Sequence, residues 1–445
     1  MRDCPLSLLP LGFGPSEPFA VADNRIVDTV EFRARTASLA AAIPAGGHVI
    51  NLCPGRYRFA AAFCAALART ATTLLPSSHS AGAVAELVAA NPGCTVIDDA
   101  YVDGAGPADR IEAEPHTPDF TAAIGHTSGS TGVPSAHPKH WSGLLASTAL
   151  NAAAIREALG RSFAEARPWI VATVPPQHMY GLEMSILLPL LAGFGIHCGK
   201  PLMPADVGTA LSEVPPPRVL VSTPVHLRAL VDSGVSFPEV SIVVSATAPL
   251  PRELANRIET RFGAVLIEFF GSTETCVIAT RKTAREDWWQ PYSGVRLQPG
   301  RGGTNVSAPW FAGDQYLHDI VEVRDDGSFA IIGRGSDVIE VAGKRASLAD
   351  LTRRLQALDG VEDAVVFQPS IPEAGSAARC AALVVAPGLG PRELARRMRS
   401  VVDAVFVPRP IVIVPKLPRN EVGKLPQERL LELLATAASQ PRRGR

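Results

Sequence analysis

The stretch that most constrains this chain is residues 126–141, His-Thr-Ser-Gly-Ser-Thr-Gly-Val-Pro-Ser-Ala-His-Pro-Lys-His-Trp. Thr127, Ser128, Ser130 and Thr131 set four hydroxyls around Gly129, and Gly132 closes the run. Glycines let the backbone turn its N–H groups inward, and the hydroxyls add donors. Such a concave nest suits a cluster of anionic oxygens, above all a polyphosphate. Ala122-Ala-Ile-Gly before it reads as a short buried strand, and Trp141 to Leu159 after it as a helix. That strand–loop–helix setting is where phosphate loops tend to lie. The Gly-x4-Gly-Lys-Ser/Thr loop is excluded, because Val133-Pro134 follows Gly132. A Ser/Thr/Gly surface turn is the bland alternative, and the rest of the chain decides between them.

The alternation around the loop predicts an α/β fold with mainly parallel sheets. Before it, residues 29–42 (with Asp28 as N-cap), 57–70 and 81–90 read as helices, and 48–53, 72–75 and 94–97 as strands. After it, strands at 169–174, 218–222, 240–245 and 264–270 alternate with helices. Three of these end in polar or glycine-bearing loops: Gln177-His178-Met-Tyr180-Gly181, Ala246-Thr247-Ala-Pro-Leu-Pro and Gly271-Ser-Thr273-Glu274-Thr. Open α/β sheets bind ligands at such strand ends. Residues 290–309 are rich in Gly, Pro and Ser and read as irregular. Asp325-Asp-Gly marks a hairpin. The division falls at 1–335, a large layered α/β domain, and 336–445, a small mobile α+β domain in which Leu348, Leu351, Leu355 and Leu358 share a helix face.

Composition bounds the function. The 445 residues carry a net charge of −1, so no general attraction to nucleic acid is implied. Seven scattered cysteines without Cys-x2-Cys spacing indicate neither a zinc site nor a disulfide framework, which fits a cytoplasmic protein. The longest apolar run is interrupted by Pro189 and is too short for an integral membrane segment.

Taken together, these stretches resemble the adenylate-forming superfamily of acyl- and aryl-CoA synthetases, peptide-synthetase adenylation domains and luciferases. Residues 127–134 match its phosphate loop and Gln177-His-Met-Tyr-Gly its aromatic-site motif. Residues 245–250 resemble its Ser-Gly-Gly-Ala-Pro-Leu loop, and Phe270-Gly-Ser-Thr-Glu its Tyr-Gly-x-Thr-Glu. Ala312-Gly-Asp matches Thr-Gly-Asp, Gly333-Arg-Gly-Ser-Asp the domain-hinge motif, and residues 417–424 the C-terminal lysine motif. All seven occur in family order.

The resemblance implies two-step chemistry with ATP and Mg2+: a carboxylate is activated as acyl-adenylate, then passed to a thiol. It implies that Thr127, Ser128, Gly129, Ser130, Thr131 and Gly132 hold the β- and γ-phosphates, that Glu274 binds Mg2+, and that Thr273 donates to the α-phosphate. Lys424 would reach the carboxylate and α-phosphate. Asp314 and Arg334 would bond the ribose, Phe270 would stack on adenine, Glu268 would accept from its amino group, and Thr247 would line the nucleotide or acyl pocket. His178, Tyr180, Gly181, Thr247 and Phe269 would line the acid pocket, with His178 or Tyr180 bonding a ring hydroxyl. Gly343 and Lys344 would line a thiol tunnel after rotation of the small domain.

The chain departs from the pattern. Ser135 stands where Lys usually follows Pro, although Lys139 lies four residues on; Ala246-Thr replaces Gly-Gly; Ser336 stands at the hinge position; and Glu340 stands where Lys is usual. The short segment between Glu274 and Asp314 suggests reduced peripheral subdomains. These features resemble the compact AMP-ligases of aryl polyene and xanthomonadin pigment pathways, which implies a 3- or 4-hydroxybenzoate substrate and an acyl carrier protein acceptor. Arg392, Arg396, Arg397 and Arg399 form a basic helix face suited to an acidic carrier, or simply to solvent. Coenzyme A as acceptor is the alternative within this chemistry; a non-catalytic nucleotide-binding relative is the alternative outside it.

Overall fold

The computed structural model describes residues 12–14, 16–76, 79–107, 116–117, 119–127, 135–160, 166–300, 302–334, 338–341, 344–369, 380–420, 423 and 425–439, with backbone alone at 127, 334, 338, 340–341, 344–345, 347 and 437–439. Two compact units emerge: residues 1–295 with 307–315, and residues 296–306 with 316–445. This grouping by contact puts the strands between 296 and 334 with the second unit, whereas the sequence division falls at 335.

The first unit holds two sheets. In the larger, Val265–Ser272, Ile242–Ser245, Arg218–Ser222, Trp169–Ala172, Gly195–His197 and Pro18–Ala22 run parallel, with antiparallel strands added at both edges. Their registers align Ala172 with Val221, Ser222 with Ser245, and Ser245 with Glu268, so the carboxyl ends form one edge. These strands are apolar on both faces because helices cover both, the pattern expected of a parallel sheet. The second sheet has the order Thr95–Ile97, His48–Asn51, Thr72–Leu75, Thr121–Thr127, Ser135–His140. Its first four strands are parallel, and the last folds back antiparallel. Asp28 caps the helix Thr29–Ala42 as expected, accepting from Glu31 N at 2.8 Å.

The edge strand Ser135–His140 does not stand out in the sequence, where it reads as part of the loop. It is polar and contains Pro138, which an edge strand tolerates because the missing N–H faces no partner. The apolar stretch 184–191 reads as a helix in the sequence; the helical run starts earlier, at Met179–Leu182, and continues as a π-turn over Glu183–Leu187 before Leu188–Ala192.

In the second unit, Arg296–Pro299 and Thr304–Ser307 form strands where irregular chain was expected. The predicted hairpin joins Asp319–Val323 to Phe329–Arg334, its turn held by Ser328 N and Oγ on Asp326 Oδ1. Leu348, Leu351 and Leu355 are buried on the helix Leu348–Gln356, as their spacing predicts. A three-stranded sheet of Asp363–Phe367, Ala381–Val385 and Ile411–Ile413 completes this core. On the basic helix Pro391–Met398, Arg396 and Arg397 are both held by Glu393, which takes up part of the expected basic face. Among the described residues no helix is long and apolar enough to cross a membrane.

Candidate active site

The site begins at a glycine. A Cβ on Gly125, near the end of strand Thr121–Thr127, would lie 3.0 Å from Thr273 Cγ2 and 3.5 Å from Met179 Sδ. The strand that enters the hydroxyl loop therefore touches the Gly-Ser-Thr-Glu turn and the Gln-His-Met-Tyr-Gly segment at one point. Residues 128–132 of the loop lie outside the described residues, as do Gly343 and Lys424, and for Thr127, Arg334 and Lys344 only the backbone is described. Arg334 ends a strand opposite Asp319, and Lys344 opens one opposite Val341.

Glu274 sits in a turn that its own neighbours build. Ser272 N donates to Thr275 Oγ1 at 3.0 Å, and Glu274 N and Thr275 N donate to Ser272 Oγ at 3.2 and 3.3 Å. A Cβ on Gly271 would fall 2.0 Å from Cys276 O, so only glycine closes this turn. The Glu274 carboxylate is about one-third exposed, and His137 Nε2 lies 3.6 Å from it. Lys139 Nζ donates to Glu274 O at 2.6 Å. Burial raises the Glu274 carboxyl, but the Ser272 hydroxyl, the turn's N–H, His137 and Lys139 outweigh it and leave the group below its usual range. Burial is also the main influence on His137 and lowers it, against the pull of Glu274, so at pH 7 the pair is a neutral imidazole beside a carboxylate rather than an ion pair. His137, Lys139, Leu144, Glu274, Cys276 and Trp310 line a cavity of about 240 Å³. An ionised, accessible carboxylate at an open cavity fits Mg2+, which needs only one or two protein carboxylates beside phosphates and water.

Behind this cavity lies a buried carboxylate that sequence reading missed. Glu183, on the π-turn, is 2% exposed. Its Oε1 accepts from Ser147 Oγ at 2.6 Å, Asn151 Nδ2 at 3.2 Å and Val277 N at 3.2 Å, and Tyr292 Oη donates to Asn151 Oδ1 at 2.7 Å. The network pins together the helix after the loop, the turn after Gly181 and the strand after Glu274. Burial raises the Glu183 carboxyl above its usual range, against these donors. A lone Glu in an apolar run carries no periodic signal, so nothing in the sequence pointed to it.

The other predicted residues fall into three groups. Thr247 is half-buried with φ of 78°, a left-handed conformation that costs a β-branched residue about 1–2 kcal/mol and favours the glycine it replaces. Phe270 is half-buried, its ring 5.3 Å from that of Trp289, and His178 is half-exposed just before the helix at Met179. Asp314 is exposed, next to Gln315 on the cavity rim.

Others are occupied structurally. The Tyr180 hydroxyl donates to Ser222 O at 3.0 Å and Val244 O at 3.1 Å, so its proton ties two strand ends and is not offered to a ring hydroxyl. Gly181 is required by packing, since a Cβ there would meet Pro175 O at 1.9 Å. Phe269 is buried in the core. Glu268 is 2% exposed and accepts from Leu250 N, Arg281 and Thr283; it pins its strand and is closed to an adenine amino group, contrary to expectation.

Residues 8–298 match the AMP-binding enzyme family. The chain belongs to that family. Among its relatives, a 4-coumarate–CoA ligase of Halorhodospira halophila is 29% identical over 327 residues, covering 71% of this chain and 76% of the relative. A p-hydroxybenzoic acid–AMP ligase of Mycobacterium marinum is 28% identical over 286 residues, covering 55% of this chain and 40% of the relative. Two solved structures share the fold at 18% identity: ATP-bound MatB from Rhodopseudomonas palustris, with a TM-score of 0.79 over 96% of this chain and 97% of that one, and o-succinylbenzoate CoA synthetase from Bacillus subtilis bound to its acyl-adenylate, with 0.78 over 96% of each. As a member of the family, the chain is a ligase that uses ATP with Mg2+ to activate an acyl or aryl acid through an acyl-adenylate.

Proposed function

We propose that the acid is a hydroxybenzoate, 3- or 4-substituted, and that the acyl group passes to the phosphopantetheine thiol of an acyl carrier protein in pigment biosynthesis. The observation that carries the site is the meeting at Gly125 of the loop strand, the Glu274 turn and the segment of His178. The aromatic acid is supported by two relatives whose names specify hydroxylated aromatic acids, and transfer to an acceptor other than coenzyme A by the one named as an AMP ligase.

In the first step a carboxylate oxygen attacks the α-phosphorus of ATP, and the P–O bond to pyrophosphate breaks. Two anions must meet, so donors and positive charge have to offset their repulsion. In this reading Lys424 supplies an ammonium at the attacking carboxylate and the α-phosphate, and Thr273 donates to the same phosphate. Thr127 and residues 128–132 hold the outer phosphates, and Glu274 holds Mg2+, whose chemistry is to neutralise charge on the phosphate oxygens. Asp314 and Arg334 bond the ribose, Phe270 offers its ring to adenine, and His178 and Thr247 face the acid. In the second step the thiol sulfur attacks the acyl carbonyl carbon and AMP leaves, with Gly343 and Lys344 beside the thiol. The small domain, 336–445, acts as the lid.

A second reading, with free coenzyme A as acceptor, is favoured by the relative named as a CoA ligase. Pyrophosphate release with benzoate, 3- and 4-hydroxybenzoate, cinnamates and medium-chain fatty acids tests the acid; preference for a fatty acid sinks the aromatic reading. Thioester formation on coenzyme A against a holo carrier protein then tests the acceptor. Faster transfer to coenzyme A replaces the first reading with the second.

A further inference from the structure

Residues 127–134 contain no cationic side chain, although a polyphosphate needs positive charge near it. The strand that follows supplies one. In the antiparallel pair, Ser135 lies opposite Thr127, His137 opposite Gly125 and Lys139 opposite Ala123. Alternate residues of a strand share a face, and directly opposed residues share it too. Gly125, which meets Thr273, and His137 and Lys139, which meet Glu274, therefore look the same way.

Lys139 is 8% exposed and lines the cavity. Its ammonium has three protons to give, and one goes to Glu274 O. Among the described residues no carboxylate comes within ion-pair distance of it, although buried charges are normally paired. Trp310 lines the same cavity, and its Nε1–H is buried with no partner among the described residues. A buried ammonium and an unmet N–H at one cavity, beside a carboxylate suited to Mg2+, fit an oxygen-rich anion.

We propose that Lys139 is the polyphosphate cation of this chain, receiving with the Trp310 N–H the oxygens of the outer phosphates of ATP and of the pyrophosphate product from the strand behind the loop. This rests on the adenylation reading and adds to it a residue that the loop itself lacks. Lys139 is argued as a binding residue, against the alternative that it is only a latch on the Glu274 turn.

The test is equilibrium binding of ATP, pyrophosphate and AMP, each with and without Mg2+, by calorimetry on the full chain and on K139M, K139R and W310F. K139M keeps the aliphatic stem and removes the charge. It is expected to weaken ATP and pyrophosphate binding at least about tenfold and to leave AMP, which lacks the outer phosphates, within about twofold. K139R should retain most of the ATP affinity. W310F keeps an aromatic ring, smaller than the indole, and removes the donor; it is expected to weaken the same two ligands and spare AMP, and it is the decisive variant if K139M does not fold. Equal loss for all three ligands, or no loss for ATP and pyrophosphate, overturns the inference. A wild-type chain that binds none of the three overturns the adenylation reading instead.

Discussion

Replacing Glu183 should separate its role as a staple from mere polarity. Three donors converge on Glu183 Oε1, from Ser147, Asn151 and the Val277 N–H. In Glu183→Leu the side-chain volume is roughly kept and all three donors are orphaned. A buried donor left unmet costs about 1–3 kcal/mol, so the loss should be about 3–9 kcal/mol before relaxation. Set against a total stability of about 5–15 kcal/mol, this is enough to unfold much of the unit. Glu183→Gln keeps a carbonyl oxygen where Oε1 stands and should cost less than about 2 kcal/mol. Urea denaturation followed by far-UV circular dichroism measures both midpoints. If Glu183→Leu is as stable as the wild type, the network does not hold these elements together and the reasoning fails.

Three further outcomes follow from the same geometry. Because burial raises the Glu183 carboxyl in the folded state, its contribution is present below the ordinary Glu value of about 4.3 and is lost as pH rises through the folded value, since the unfolded chain releases the proton more readily. Glu183→Gln should therefore gain stability relative to wild type as pH rises above the ordinary Glu value, and a difference that stays flat with pH refutes this. Gly181→Ala should destabilise by about 1–3 kcal/mol or more, because its Cβ would meet Pro175 O at 1.9 Å; an unchanged thermal midpoint would contradict that packing. Glu274→Gln should raise the Mg2+ concentration needed for half-maximal pyrophosphate release by about tenfold or more, as loss of a carboxylate from a hard-cation site predicts, and an unaltered Mg2+ titration removes Glu274 from the metal site.

Much of the architecture was legible because parallel strands covered on both faces read as unbroken apolar runs. Trp169–Ala172, Arg218–Ser222 and Ile242–Ser245 declare themselves this way, and the loops at their ends mark the ligand edge. Edge strands lack that signature. Ser135–His140 is polar and interrupted by proline, so the face that carries His137 and Lys139 could not be read without its register. The Gly- and Pro-rich stretch around residue 300 hid two further strands of only four residues each, Arg296–Pro299 and Thr304–Ser307. Side-chain roles depend on long-range partners. Tyr180 and Glu268 sit in motifs that suggest ligand contact, yet backbone groups and side chains far off in sequence take up their polar atoms. Thr247 stands where the resembled loop has glycine, and its positive φ shows where that departure carries a cost.

In the proposed chemistry this site joins a carboxylate to the α-phosphate of ATP, with Lys424 carrying the charge that allows it. Acid-dependent exchange of labelled pyrophosphate into ATP, measured for the wild type and for Lys424→Ala, tests it most directly. Exchange is expected only when a suitable acid is present, with a loss of at least about 100-fold in Lys424→Ala and ATP binding retained. Exchange that proceeds without acid, or that survives unchanged in Lys424→Ala, contradicts it.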